Sequence, residues 1–171
     1  MFNALDKNLN KIYKLSGYIA AFFLILVAVF ILIGISSRIF GFYIRGLAEY
    51  SGYCMAAASF FALAYTFIEN GHIRITLFLE KLSDRKKWFA ETWCLIVASF
   101  FSGYLAYYFI KMLIISYKFQ ERSEGADEIL IWIPQTSVAI GSIIFFISVF
   151  HRLILNFKKV KWQKYFYQFF L

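Results

Sequence analysis

Long apolar runs alternate along this chain with short segments that hold its charge. Four uncharged stretches, Leu15–Ser37, Tyr50–Ile68, Thr92–Ile110 and Ile129–Phe150, contain no Asp, Glu, Lys or Arg. Each is near the ~20 residues that a helix needs to cross a ~30 Å hydrocarbon core. The runs are continuously apolar rather than alternating, so their backbone groups must be satisfied within helices and not in a barrel. The pattern predicts an all-α integral membrane protein. Its single membrane domain, residues 1–171, has transmembrane helices over 15–37, 50–68, 92–110 and 134–152. The last begins near Pro134, the only proline, because proline suits a first helical turn and disfavours helix in the residue before it.

The connecting segments carry a second, shorter periodicity. Phe2, Leu5, Leu9 and Ile12 recur every three or four residues, with Asp6, Lys7, Asn10 and Lys11 between them. That spacing predicts an amphipathic helix over 1–14, either lying in the interface or forming the start of the first crossing. Ile75, Phe78, Leu79 and Leu82 repeat the pattern, which predicts a second interfacial helix over 75–84. Residues 153–171 form a basic, aromatic tail suited to lipid headgroups.

Charge sets the orientation. Of the eighteen Lys and Arg residues, thirteen fall before the first span, between the second and third, or after the fourth. The remaining five, Arg38, Arg45, Lys111, Lys118 and Arg122, fall on the other side. Basic residues favour the cytoplasm, so both termini are expected there. The ten acidic residues divide equally, and the net charge of +8 therefore lies on the cytoplasmic face, against anionic lipids. Nucleic acid is not the partner this arrangement suits, because the basic residues flank spans rather than forming a separate domain. Composition agrees with membrane insertion: 61% of residues are hydrophobic and 22% aromatic, more than a soluble domain of this size can bury. Leu15–Ser37 is longer than a signal-peptide core and runs directly into Arg38, so it is expected to be retained.

Chemistry is sparse. Every ionisable residue of the charged classes sits near a span end, whereas a transport pathway or proton relay places such groups at mid-membrane depth. No phosphate loop, zinc pattern or nucleophile motif occurs, and Cys54 and Cys94 fall in opposite leaflets, too far apart to bridge. No enzyme activity, metal or cofactor is expected. The rival reading uses His72 and His151, which both fall at the cytoplasmic end of a span: as axial haem ligands they would make a small b-type cytochrome or the anchor of a redox complex. What the spans do carry is small residues, which let helix backbones approach closely in lipid. Gly52 and Ala56 on the second, and Ala98, Ser102 and Ala106 on the third, mark faces for packing. Arg45 and Glu49, four apart in an aromatic outer loop, can pair there.

Arg38 with Phe40 after the first span, Glu49 opening the second, Gly71-His72-Ile73-Arg74-Ile75 closing it, and Pro134 with Gly141 on the fourth form a combination that extends over most of the chain. It resembles the small membrane subunit of tripartite ATP-independent periplasmic (TRAP) transporters. Where that family often has a second acidic residue and a tryptophan around Glu49, this chain has Leu47, Ala48 and Tyr50. The resemblance implies a non-catalytic subunit of the bacterial inner membrane. Its implied partners are a large membrane permease (DctM-like), which holds the ion and substrate sites, and a periplasmic substrate-binding protein (DctP-like). It further implies sodium-driven uptake of an organic anion, with this chain stabilising the static scaffold. Within that frame Gly71, His72 and Arg74 are expected to fix the cytoplasmic elbow against the partner or lipid. The outer loops, through Arg45, Arg122 and Glu124, are expected to help dock the binding protein.

Overall fold

The structure, a computed structural model, describes residues 2–70, 84–125 and 128–169. These form four long helices: α1 (Phe2–Ile39), α2 (Leu47–Asn70), α3 (Asp84–Phe119) and α4 (Trp132–Phe169). Each contains a segment long and apolar enough to cross a membrane. The interfacial helix expected over 75–84 lies outside the described residues but for Asp84, the first residue of α3. Residues 2–14 run on into the first crossing as one helix, with no Pro or Gly between Phe2 and Gly17 to break it.

The ends of these helices follow from local chemistry. α1 stops where Gly41 adopts a left-handed φ of 73°, which lets the Phe42 amide reach the Ser37 carbonyl (3.0 Å) and the Gly41 amide the Arg38 carbonyl (3.4 Å). α3 ends in the same way on a residue that is not glycine. Gln120 takes a φ of 51°, the Glu121 amide donates to the Ser116 carbonyl (3.1 Å), and the Gln120 side chain donates to the Tyr117 carbonyl (2.7 Å). α4 begins at Trp132, two residues before Pro134. The first four amides of a helix have no internal acceptor, so a proline in that turn removes no helical bond.

The helices pack as a row rather than a closed bundle. α2 packs against α1 on one side and α4 on the other, α3 packs against α4, and α1 meets α4 over only a short stretch. The order across the layer is therefore α1, α2, α4, α3, and the two edge helices do not pack along one another. Only 6% of the most apolar window of α1 is buried, against 33% for α4, as expected for an edge helix and an inner one.

Each edge helix buries a single narrow seam. On α1 it is Tyr13, Ser16, Ala20 and Ser37; on α3 it is Thr92, Leu95, Ser102, Ala106 and Ser116. Both sets follow the alternating three-and-four spacing of a left-handed pairing. α4 buries two such sets, Ala139, Ser142, Val149 and Asn156 on one and Gly141, Ser148 and His151 on the other, because it has a neighbour on each side. Three glycines sit where a neighbouring helix comes close. A Cβ at Gly17 would stand 2.8 Å from the Tyr65 ring, and one at Gly103 3.0 Å from the Phe146 ring. One at Gly141 would stand 2.8 Å from Phe60 Cβ. Aromatic pairs fill the remaining space: Phe23 on Phe61 between α1 and α2, Phe67 edge-on to Phe145 between α2 and α4, and Tyr117 edge-on to Trp132 between α3 and α4.

Candidate functional site

At one end of the layer the α3–α4 connection is a braced hairpin. Arg122 and Leu130 form an antiparallel bridge, the Ser123 amide donates to the Ile129 carbonyl (2.8 Å), and the Ile131 amide donates to the Glu121 carbonyl (3.0 Å). Side chains fix this hairpin to the helices. The Ser116 hydroxyl donates to the Glu121 carboxylate (2.7 Å), and the Tyr53 hydroxyl on α2 donates to Ser123 Oγ (2.9 Å). Glu128 holds a left-handed φ of 49°, a conformation that surrounding bonds must impose on a residue with a Cβ. Arg122, Glu124 and Glu128 are exposed on this connection. Phe40, Phe42, Tyr43 and Arg45 are exposed on the α1–α2 loop, and Tyr53, near the start of α2, brings that loop to the same end of the layer.

At the opposite end a polar cluster joins α1 to α4. His151 is buried, with Nε2 3.0 Å from Asp6 Oδ1 and Nδ1 3.4 Å from the Tyr13 hydroxyl. A carboxylate only accepts, so Nε2 carries a proton and donates to Asp6, while Nδ1 faces the Tyr13 hydroxyl, which can donate or accept. Nearby on α3 and α4, Asn156 Nδ2 donates to Thr92 Oγ1 at 3.0 Å, and both residues are buried. Trp88 packs edge-on against Phe157 one turn below. These bonds hold together the ends of helices that share no other polar side-chain contact there among the described residues.

The residues singled out in the sequence divide into three groups. Ser102, Ala106 and Gly141 are buried within the chain, and Ala98 and Ala56 are half-buried, so their close approach is used largely between the chain's own helices. Arg38, Arg45, Arg122, Glu124 and Gly52 are exposed, while Glu49 and Pro134 are half-buried in the first turns of α2 and α4. Gly71, His72 and Arg74 lie outside the described residues. The haem reading loses support at His151, because both of its ring nitrogens are engaged by hydrogen bonds within the chain. Among the described residues no group of three or more His, Cys, Asp or Glu is placed to hold a metal ion.

Sequence reasoning missed the Asp6–His151–Tyr13 and Thr92–Asn156 ties. A signal for them was present: Tyr13 starts the series Tyr13, Ser16, Ala20, and His151 follows Ser148 by three, so both stand on rows of small residues at seam spacing. Among known families, residues 26–159 match the model for the DctQ component of tripartite ATP-independent periplasmic transporters. No curated protein matches the chain in sequence.

Proposed function

We propose, since the chain belongs to the DctQ family of tripartite ATP-independent periplasmic transporters, that it is the non-catalytic small membrane subunit of such a system and braces the larger permease. The observation that carries this reading is the open row of helices. Among the described residues the edge helices do not pack along one another, so the row forms no closed bundle around a solute path, and the uncharged stretches of all four spans hold no Asp, Glu, Lys or Arg at mid-membrane depth. Such a layer adds rigid apolar surface to another membrane protein. Its work is mechanical.

In this reading the chain sits in the bacterial inner membrane with both termini cytoplasmic, in keeping with the distribution of Lys and Arg. A DctM-like large subunit carries the sodium and organic-anion sites and moves against the scaffold that this chain fixes. A DctP-like binding protein delivers the substrate at the end of the layer where the braced hairpin stands. Rigid loops suit that task, because little ordering entropy is lost when the partner docks.

The test is uptake in whole cells that express the large subunit and the binding protein. Without this chain uptake is expected to fall to background. Arg122→Glu combined with Glu124→Lys is expected to slow uptake about tenfold, roughly the 1.4 kcal/mol equivalent of a lost charge-assisted docking contact, while the amount of assembled complex is unchanged. Full uptake in the absence of the chain contradicts the proposed role. Full uptake with the double reversal removes the hairpin from the docking surface.

A further inference from the structure

The two edge helices of the row turn different surfaces outward. Between Phe22 and Ile35 the exposed large side chains of α1 are Leu, Ile, Val and Phe, with no hydroxyl among them. The outward face of α3 carries Tyr104, Tyr107 and Tyr108, exposed by 56%, 61% and 48%. Their rings form one cluster: Tyr104 and Tyr108 lie 4.5 Å apart between centroids, and Tyr107 stands edge-on to Tyr108 at 5.4 Å. Lys111 Nζ lies 5.9 Å from the centre of the Tyr108 ring.

The depth of this cluster decides what covers it. The uncharged part of α3 runs from Thr92 to Ile110, between Glu91 and Lys111. The three tyrosines sit roughly 5 to 11 Å beyond its midpoint toward the C-terminal end. Helical side chains lean toward the helix N-terminus. For residues in the C-terminal half of the span, that lean carries the hydroxyls toward the bilayer centre and away from the nearer interface, so they cannot snorkel out as interfacial tyrosines do. Two hydroxyls facing one another satisfy one donor between them. The other donor of the Tyr104–Tyr108 pair and the Tyr107 hydroxyl need acceptors, and acyl chains supply none.

We infer that this outward face of α3, centred on Tyr104, Tyr107 and Tyr108, is the surface on which the large membrane subunit docks, through a membrane-embedded helix that presents hydrogen-bond acceptors to the three hydroxyls. The aliphatic edge on α1 is left to lipid. The inference rests on the subunit reading above and adds to it the face and the chemistry of contact. Aromatic rings at this position also suit an interface energetically, since they give large contact area for few rotatable bonds.

The test uses the chain co-expressed with the rest of its transporter. The photoreactive residue p-benzoylphenylalanine is placed at position 104 or 107, and at position 25 or 32 on α1 as comparison. Irradiated membranes are expected to yield cross-links to the large membrane protein from 104 and 107 and none from 25 and 32. In parallel, the triple variant Tyr104→Phe, Tyr107→Phe, Tyr108→Phe keeps the rings and removes the hydroxyls. It is expected to insert normally and to retain about tenfold less of the large subunit in detergent. Cross-links from α1 alone, cross-links from 104 and 107 to a second copy of the chain, or a triple variant that retains its partner fully would each overturn the assignment of this face while leaving the subunit reading in place. If the unsubstituted chain brings down no large membrane protein, the subunit reading fails, and this inference with it.

Discussion

Gly141→Leu is expected to destroy the fold of the layer, with at least a tenfold drop in folded protein recovered from membranes. A Cβ at position 141 would lie 2.8 Å from Phe60 Cβ and 2.9 Å from the Phe60 carbonyl carbon. The second of these is backbone, so a change of rotamer cannot move it away, and α2 must separate from α4. Overpacking of this kind costs about 3 kcal/mol where the backbone has to give. The contact lies between the two inner helices, so the whole row depends on it. Gly52→Leu is the matched control: nothing stands within 4 Å of its Cβ position, and the same added side chain is expected to leave recovery unchanged. Size-exclusion profiles and unfolding in graded SDS measure both variants. Equal recovery of the two would show that α2 and α4 do not meet at this glycine.

His151→Leu is expected to have the next largest effect, and a local one. The substitution leaves the Asp6 carboxylate and the buried Tyr13 hydroxyl without their shared partner. Losing the partner of a buried polar group costs about 2 kcal/mol. The loss is moderated at Asp6, whose side chain is about a third exposed and can turn to water. α1 has only a short stretch of contact with α4, so the N-terminal segment of α1 should come away while the spans stay packed. Lys7, Lys11 and Lys14 are exposed there, and limited trypsin digestion is expected to cut at them roughly tenfold faster in the variant. Tyr13→Phe, which removes only the longer 3.4 Å bond, should change the rate far less. Unchanged digestion of His151→Leu would mean that the cluster does not hold the two helices together.

That the chain forms four helices long and apolar enough to cross a membrane was legible in the sequence, because charge stops each apolar run and hydropathy needs no knowledge of neighbours. The order of the helices across the layer was not. When a helix is apolar on every side, its periodicity does not say which face meets protein and which meets lipid. The seams are marked instead by small polar residues such as Ser16, Ser37, Ser102 and Ser142, whose hydroxyls donate to carbonyls three residues back and so can be buried without a partner helix having to supply an acceptor. Ser102, Ala106 and Gly141 illustrate the ambiguity. Close packing within a chain and close packing between chains require the same residue types, and the structure assigns these three to the first. His151 was legible as an unusual residue at a span end but not as the partner of Asp6, because a contact between residues 145 positions apart in the chain leaves no local pattern. The bridged stretches 121–125 and 128–131 were read as a charged loop, and their bracing came from backbone bonds and from Tyr53, neither of which residue type alone discloses.

The central claim is that this row of helices works as part of a larger membrane assembly. The most direct measurement is purification of the tagged chain from its native membranes in a mild detergent, with the copurifying proteins identified and a visible spectrum recorded. The account predicts one large multispanning membrane protein in near-equal amount and no haem absorption. A chain that purifies alone, or with a Soret band, would contradict it.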